Sequence, residues 1–458
     1  MSLFGAALAV ALLVYFVWKS LSMRIFLLGL PFLMYMGESV FFDKVKIFWM
    51  PQRLGSSTMI MVWLVVVWVI CMDLVLPHDE HRRVRRLFGP PLRLPEEFVL
   101  GVLAAAILLD IAISCIRFGD ALTVLGPASG WLYLLLGYLL VRGIVAMAPT
   151  EDVIKFLSAL VVINAGAALL YIANQALGIP FYAGSVSGTE VFHGQTIVRG
   201  FAFYPQLLLL TLAVLFAKPR WTWLDPVILI VNVVAIWLSY TRSWLLVALV
   251  VLGVVLFVRL IKARQTRLAL RRLGGIVLLV VVVGAAMLML LPTQSSYFIS
   301  RLSATQGAGG LASESSFAAR RSFIAATYRH ASDTDSLFGV GFASPAQDAE
   351  LGAVEHWSAD TLWVPVVYRL GLVGVALFVA VFFAYLGRAA LTALRCTGDC
   401  EYLGLVWLGV IAGTMMGTFV SWSVVNPNRF PLGLWPFAFL AALPLMPRQE
   451  CDDTEEGE

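Results

Sequence analysis

GGIVLLVVVVGAAMLMLLP, residues 274–292, contains no charged side chain. A helix rises 1.5 Å per residue, so about 20 apolar residues match a hydrocarbon core about 30 Å thick. This stretch therefore reads as a helix crossing a bilayer. Before it stands the basic segment KARQTRLALRR (262–272). After it comes PTQSSYFISRLSATQGAGGLASESSFAARRSFIAATYRHASDTDSLFGVGFASPAQDAELGAVEHWS (292–358), the one long hydrophilic segment between two strongly apolar spans. It gathers Arg301, Arg320, Arg321, Arg329, His330 and His356, with Asp and Glu among them.

The rest of the chain repeats the apolar pattern. Of 458 residues, 60% are hydrophobic and 13% charged. The mean hydropathy is +0.88. Soluble domains carry about 25% charged residues. The fold class is therefore an all-α polytopic membrane protein, with about 12–13 transmembrane helices and one large helical loop. The spans fall near 2–18, 24–42, 57–76, 97–116, 121–141, 153–177, 200–217, 224–240, 243–261, 274–292, 359–387, 402–421 and 431–446. This divides the chain into an N-terminal bundle (1–291), the large loop (292–358), C-terminal helices (359–447) and an acidic tail, CDDTEEGE, closing residues 448–458. Leu3–Trp18 has no basic stretch before it and reads as a retained first span rather than a cleaved signal.

Short loops rich in Lys and Arg stay cytoplasmic. HDEHRRVRRLF (78–88) and KARQTRLALRR mark that side, along with Lys19/Arg24, Lys218/Arg220 and Arg388/Arg395. The loops 178–199 and 292–358 then lie outside, together with 42–57, which holds Lys44, Lys46 and Arg53. The net charge of +4 sits in inter-span loops, which reports topology and gives no sign of nucleic-acid binding. Five cysteines are present, Cys71, Cys115, Cys396, Cys400 and Cys451. Cys396 and Cys400, spaced C-x3-C in a short loop, lack further metal ligands nearby in sequence and read as unpaired thiols.

Within the large loop, Ser313–His330 reads as a helix capped by Ser313, Ser315 or Ser316. It places Phe317, Arg321, Ile324 and Tyr328 on one face. FGVGF (338–342) reads as a glycine turn that sends the chain back to the membrane.

Three arginines stand where arginine is costly: Arg199 at the opening of a span, Arg242 between two spans, and Arg321 on the loop helix. Any one of them alone is ordinarily an interfacial arginine snorkelling to headgroups. All three on one side make an anion site, because a guanidinium binds phosphate bidentately and stays charged. His356, between Glu355 and Asp360, is placed to act as a general base or to orient a substrate; as a loop histidine at the interface it would do neither. Asp73, Asp110 and Glu38 fall inside or near apolar spans, where a carboxylate serves either a helix–helix hydrogen bond or a proton relay. The chain has no P-loop, no nucleophile-elbow serine and no zincin helix. A reaction outside the cell would have to draw its energy from the substrate itself.

Four short segments in order resemble the O-antigen ligase and O-antigen polymerase family of bacterial envelope glycosyltransferases, over roughly residues 199–380. GFAFYPQ (200–206) is similar to the family's G-T-F-G-N-P-N-like segment opening a span, with Gln206 where Asn is usual. SYTRSWLLVAL (239–249) resembles an S-R-G span start, with Ser243 in place of Gly. Counting back from Gly339 puts Arg321 on the loop arginine, with Arg320 as the alternative, and Ala325 where an aromatic is usual. HWSADTLWVPVVYRLGLVG (356–374) is similar to the family's H-N-x-x-L-x-x-x-x-E-x-G-x-x-G segment. Here Trp357 replaces Asn and Arg369 replaces Glu.

The resemblance implies a cofactor-free, metal-independent transfer of glycan from undecaprenyl diphosphate to a sugar hydroxyl, on the periplasmic face of the bacterial inner membrane. It implies that Arg199, Arg242 and Arg321 (or Arg320) hold the diphosphate, and that His356, Arg242 and Arg321 are catalytic. The partners it implies are the lipid-linked glycan, a glycan or lipid A-core acceptor, membrane lipid and a chain-length regulator. Ligase and polymerase differ in acceptor, and the changes at Trp357 and Arg369 lean towards a divergent polymerase. A transporter that moves such a substrate without chemistry, and a non-catalytic assembly subunit, are the competing readings.

Overall fold

A computed structural model describes residues 94–119, 121–177, 185–193, 195–201, 205–262, 266–303, 337–342, 362–420 and 434–445, with 322, 325 and 329. The architecture is an all-α multi-span bundle. In chain order the helices are α1 (Pro95–Phe118), α2 (Ala121–Met147) and α3 (Thr150–Leu177), followed by a hairpin of β1 (Ser185–Phe192) and β2 (Gln195–Phe201). Next come α4 (Pro205–Ala217), α5 (Leu224–Ser239), α6 (Arg242–Ile261), α7 (Thr266–Leu290) and α8 (Pro292–Ser303). The described chain closes with α9 (Trp363–Arg395), α10 (Gly398–Val420), α11 (Trp435–Ala442) and a 3-10 turn at Leu443–Leu445. Six stretches among the described residues are long and apolar enough to cross a membrane: Pro95–Phe118, Thr150–Ala176, Ser243–Ile261, Leu273–Leu290, Trp363–Arg395 and Gly398–Phe419. The spans expected before residue 94 lie outside the described residues.

α10 is the central helix. Of its most apolar window 83% is buried inside the protein, against 17% for α7. α10 packs on α4, α6 and α9. Gly409 and Gly413, four residues apart, make the close approach possible. A Cβ at Gly413 would stand 2.5 Å from Leu209 Cδ2, and one at Gly409 would stand 3.1 Å from Ala213 Cβ. Small residues at this spacing let helices approach where lipid supplies no hydrophobic drive for association. α7 instead exposes Val277, Leu278, Val281 and Val282, as an apolar helix at the lipid boundary does.

Two buried polar networks tie the helices. Asn164 on α3 donates to Thr211 Oγ1 of α4 at 3.0 Å and to Asn232 Oδ1 of α5 at 2.9 Å. At the other junction, Glu97 of α1 pairs with Arg142 of α2, both side chains almost fully buried. Tyr138 donates to Glu97 at 3.4 Å and meets the Tyr385 hydroxyl of α9 at 2.7 Å.

Contacts between helices join ends of the same side. Glu96 meets Arg388 at 3.4 Å. Lys262 meets Glu401 at 3.0 Å and the Cys396 carbonyl at 2.9 Å. Lys218 meets Asp225 at 2.5 Å. These residues all lie at the end of the bundle that also carries Lys155, Arg220, Arg267 and Arg271, called below the basic end.

Two expectations need correction. Arg199 does not open a span: it lies in β2 opposite Gly188 of β1, and the helix starts at Pro205. QTIVRGF carries β-branched residues that favour a strand, and Pro at N1 then starts the helix. The expected hydrophilic loop opens with a helix, α8 (Pro292–Ser303). Of the C-x3-C pair only Cys396 lies in the short loop, where it caps α9, whereas Cys400 lies in the first turn of α10. Their sulfurs are 2.6 Å apart.

Candidate functional site

The end of the bundle opposite the basic end holds two groups of described residues. The first is built on the hairpin. His193 at its tip has φ 48°, the left-handed conformation that a two-residue hairpin connection requires. The strands pair antiparallel, with an irregularity between Val186 and Gly188. The hairpin rests on the junction between α5 and α6, where Tyr240 has φ 54° and caps α5. Two residues later Arg242 begins α6.

Ile197 of β2, Tyr240, and Tyr297 and Phe298 of α8 form a buried cluster. Tyr297 is its hub. Its ring lies edge-on to Tyr240 at 5.0 Å and to Phe192 of β1 at 5.2 Å. Its hydroxyl accepts from Arg301 Nη1 at 3.2 Å. Arg199 follows Ile197 by two residues on β2, and Arg242 follows Tyr240 by two residues. The cluster thus brings the two arginine-bearing segments to one end of the bundle.

The second group sits where α9 kinks. Gly371 has φ 61° and breaks the helical run. The turn Leu337–Phe342 fills the kink. Val340 N–H donates to the Tyr368 carbonyl at 2.7 Å, Gly341 N–H to the Arg369 carbonyl at 3.2 Å, and Val373 N–H to the Leu337 carbonyl at 3.1 Å. Helix carbonyls and amides freed by the kink are thereby satisfied by the turn, as buried backbone requires. Arg369, 9% exposed, donates from Nη1 to the Gly341 carbonyl at 2.9 Å. From α1, Ser114 Oγ accepts the Phe342 N–H at 2.8 Å, and Arg117 Nη1 donates to the Val340 carbonyl at 3.3 Å. Asp110, one turn earlier, interacts electrostatically with both Arg369 and Arg117. Its Oδ2 is buried and makes no hydrogen bond among the described residues.

The expected site residues are described unequally. The backbone is described at Arg199 and Arg242, whereas Arg320, Arg321 and His356 lie outside the described residues. Of the expected loop helix, Ser322, Ala325 and Arg329 are helical, and Arg329 Nε donates to the Ala325 carbonyl at 3.3 Å. The FGVGF turn is present, with positive φ at Gly339 and Gly341.

No known family profile and no curated protein matches this chain. What is established is a helical multi-span membrane protein.

Sequence reasoning missed Tyr240, Tyr297, Ser114 and Arg117. Arg117 carried a signal, as a basic residue at the end of a span away from the basic loops. The tyrosines carried none beyond the aromatic enrichment common at membrane interfaces.

Proposed function

We propose that this protein is a membrane glycosyltransferase of the O-antigen polymerase and ligase type. It would take a glycan from undecaprenyl diphosphate at the periplasmic face and transfer it to a sugar hydroxyl. The observation that carries this reading is the seat of the hairpin on Tyr240. It supports a common anion site for Arg199 and Arg242, the two arginines that the first two family-like segments contribute. The basic residues at the opposite end of the bundle support this orientation.

In this reaction the acceptor oxygen bonds to the anomeric carbon as the bond from that carbon to the diphosphate oxygen breaks. The diphosphate leaves carrying the electron pair, and the acceptor's proton passes to a base. Arg199, Arg242 and Arg321 (or Arg320) hold the diphosphate and stabilise the charge that builds on it. His356 positions or deprotonates the acceptor. The leaving group supplies the driving force, so the role needs no nucleotide site. Substrate and acceptor are the lipid-linked glycan and either a second lipid-linked chain or lipid A core.

One observation favours a second reading. Asp110 places inside a span a buried carboxylate oxygen that makes no hydrogen bond among the described residues, and it interacts electrostatically with two arginines. Intramembrane carboxylates of this kind mark transport pathways, which is what a transporter of the lipid-linked glycan would need.

The test is complementation of a deletion strain with wild type, Arg242→Ala, His356→Ala and Asp110→Asn at matched membrane levels, reading surface glycans on gels. Loss of an arginine that stabilises charge in the transition state costs about 10²–10³ in rate. The polymerase reading predicts single repeats on the carrier in the deletion and no rescue by Arg242→Ala or His356→Ala. Long carrier-bound chains that never reach lipid A core identify a ligase. Rescue by both of these variants, with failure of Asp110→Asn alone, favours the transporter.

A further inference from the structure

At the basic end a cavity of about 510 Å³ opens between the start of α3, the α4–α5 turn, the end of α6 and the start of α10. Its walls carry Lys218, Arg220, Arg259, Asp399, Glu401 and Tyr402. Most of these charges are already matched inside the protein. Lys218 pairs with Asp225 at 2.5 Å, and Glu401 pairs with Lys262 at 3.0 Å. The Arg259 guanidinium donates to the Ala217 and Lys218 carbonyls that end α4.

One cation and one anion are left over. Arg220, on the α4–α5 turn, and Asp399, in the first turn of α10, are both exposed, and neither has an ion-pair partner among the described residues. Between the helices, the Tyr402 hydroxyl is buried and makes no hydrogen bond among the described residues. It interacts electrostatically with Asp399 and Asp225, so it stands on the acidic side of the cavity.

Just beyond the lining residue Thr222 the chain turns apolar and aromatic. Trp223 is 78% exposed and Leu224 44% exposed, three and four residues beyond Arg220. Exposed tryptophans of this kind settle at the headgroup level of a bilayer. A ligand here therefore meets one free positive group, one free negative group and a buried hydroxyl, beside surface suited to acyl chains.

We propose that this cavity binds a glycerophospholipid whose headgroup carries both a phosphate and a primary ammonium. Arg220 holds the phosphate, as guanidinium groups do. Asp399 accepts from the ammonium, and the Tyr402 oxygen is a second acceptor for it. The acyl chains lie along the face that begins at Trp223 and Leu224. An anionic lipid would leave Asp399 opposing its charge. A quaternary ammonium would give Asp399 no N–H to accept. The site is independent of the proposed catalytic end, and its test does not read glycosyl transfer.

The experiment uses the full chain purified in detergent and stripped of lipid, with binding read by native mass spectrometry and by thermal shift. The probes are phosphatidylethanolamine, phosphatidylglycerol, phosphatidylcholine and glycerophosphoethanolamine, which has the headgroup without acyl chains. Phosphatidylethanolamine is expected to bind best. Arg220→Ala should weaken all three lipids, and Asp399→Asn should weaken phosphatidylethanolamine alone, each by about three- to tenfold, the scale of one partly exposed charge-assisted contact. Both residues are exposed, so the variants keep the fold, and unchanged melting without lipid checks this. Equal or tighter binding of phosphatidylglycerol, or no effect of either variant, overturns the proposal. Equally tight binding of glycerophosphoethanolamine also overturns it, in favour of a soluble ligand.

Discussion

Arg369 donates from Nη1 to the carbonyl of Gly341 at 2.9 Å, and so fastens the FGVGF turn of the long hydrophilic loop to a membrane helix. The guanidinium lies over the Tyr368 ring at 5.1 Å and near the Phe342 ring at 6.0 Å. It is therefore held by a carbonyl, two aromatic faces and the field of Asp110 together. Replacing it with Met removes a buried charged hydrogen bond worth about 1.5–3 kcal/mol. Thermal unfolding in detergent should fall accordingly, and proteolysis within 337–342 should quicken. Arg369→Lys should recover only part of the loss, because an ammonium lacks the planar fork. A Lys variant as stable as wild type would remove the guanidinium from this role.

The kink depends on glycine at two facing positions. A Cβ at Gly371 would stand 2.3 Å from the Leu337 carbonyl oxygen, and one at Gly339 would stand 2.6 Å from the Tyr368 carbonyl oxygen. Both residues also have positive φ. Gly371→Ala should destabilise by at least about 1–3 kcal/mol, the scale of a side chain forced into this conformation. Gly387→Ala on the same helix meets nothing within 4 Å, and should be neutral or stabilising by up to about 1 kcal/mol. Comparing the two melting temperatures checks the assignment.

The Glu97–Arg142 pair is buried on both sides. Removing one partner strands a charge, at a cost of about 3–5 kcal/mol. Arg142→Met and Glu97→Leu should each destabilise more than the double variant does. A double-mutant cycle on unfolding measures this directly, and additive losses would show that the two side chains are not coupled.

Asn164 bridges α3 to both α4 and α5. Hydrogen bonds between membrane helices are worth about 0.6–2 kcal/mol. Asn164→Leu should lower stability by that amount for each bond lost. Asn232→Leu should cost less, since only one of its two bonds, that with Asn164, joins helices, the other being its donation to Ile228 within α5.

Tyr297 joins β1, the α5 cap and Arg301. Tyr297→Ala should loosen the hairpin while leaving the spans in place. Hydrogen exchange across residues 185–201 should rise, with no comparable change in α10. Tyr297→Phe keeps the ring contacts and loses only the Arg301 bond, so its exchange should stay near wild type.

The spans were legible because bilayer thickness imposes a length and a composition that no loop shares. The expected spans 97–116, 224–240 and 243–261 fall within a few residues of α1, α5 and α6. The gathering of Lys218, Lys262 and Arg388 at one end of the bundle was legible too, because successive spans run in opposite directions. The FGVGF turn could be read because two glycines punctuate it. Arg199 was misplaced because a short strand next to a span has the same apolar character as the span. What decided the hairpin's position was Tyr297, reached from a helix almost a hundred residues further along the chain. The meeting of Asp110, Arg117 and Arg369 was likewise invisible, since it joins α1 to α9 through a kink that depends on a carbonyl of the loop. Local composition determines which segments enter the membrane. Which charges meet at their ends is decided by tertiary packing, because a buried ion pair or an orphaned carbonyl is satisfied by whatever the folded chain brings beside it.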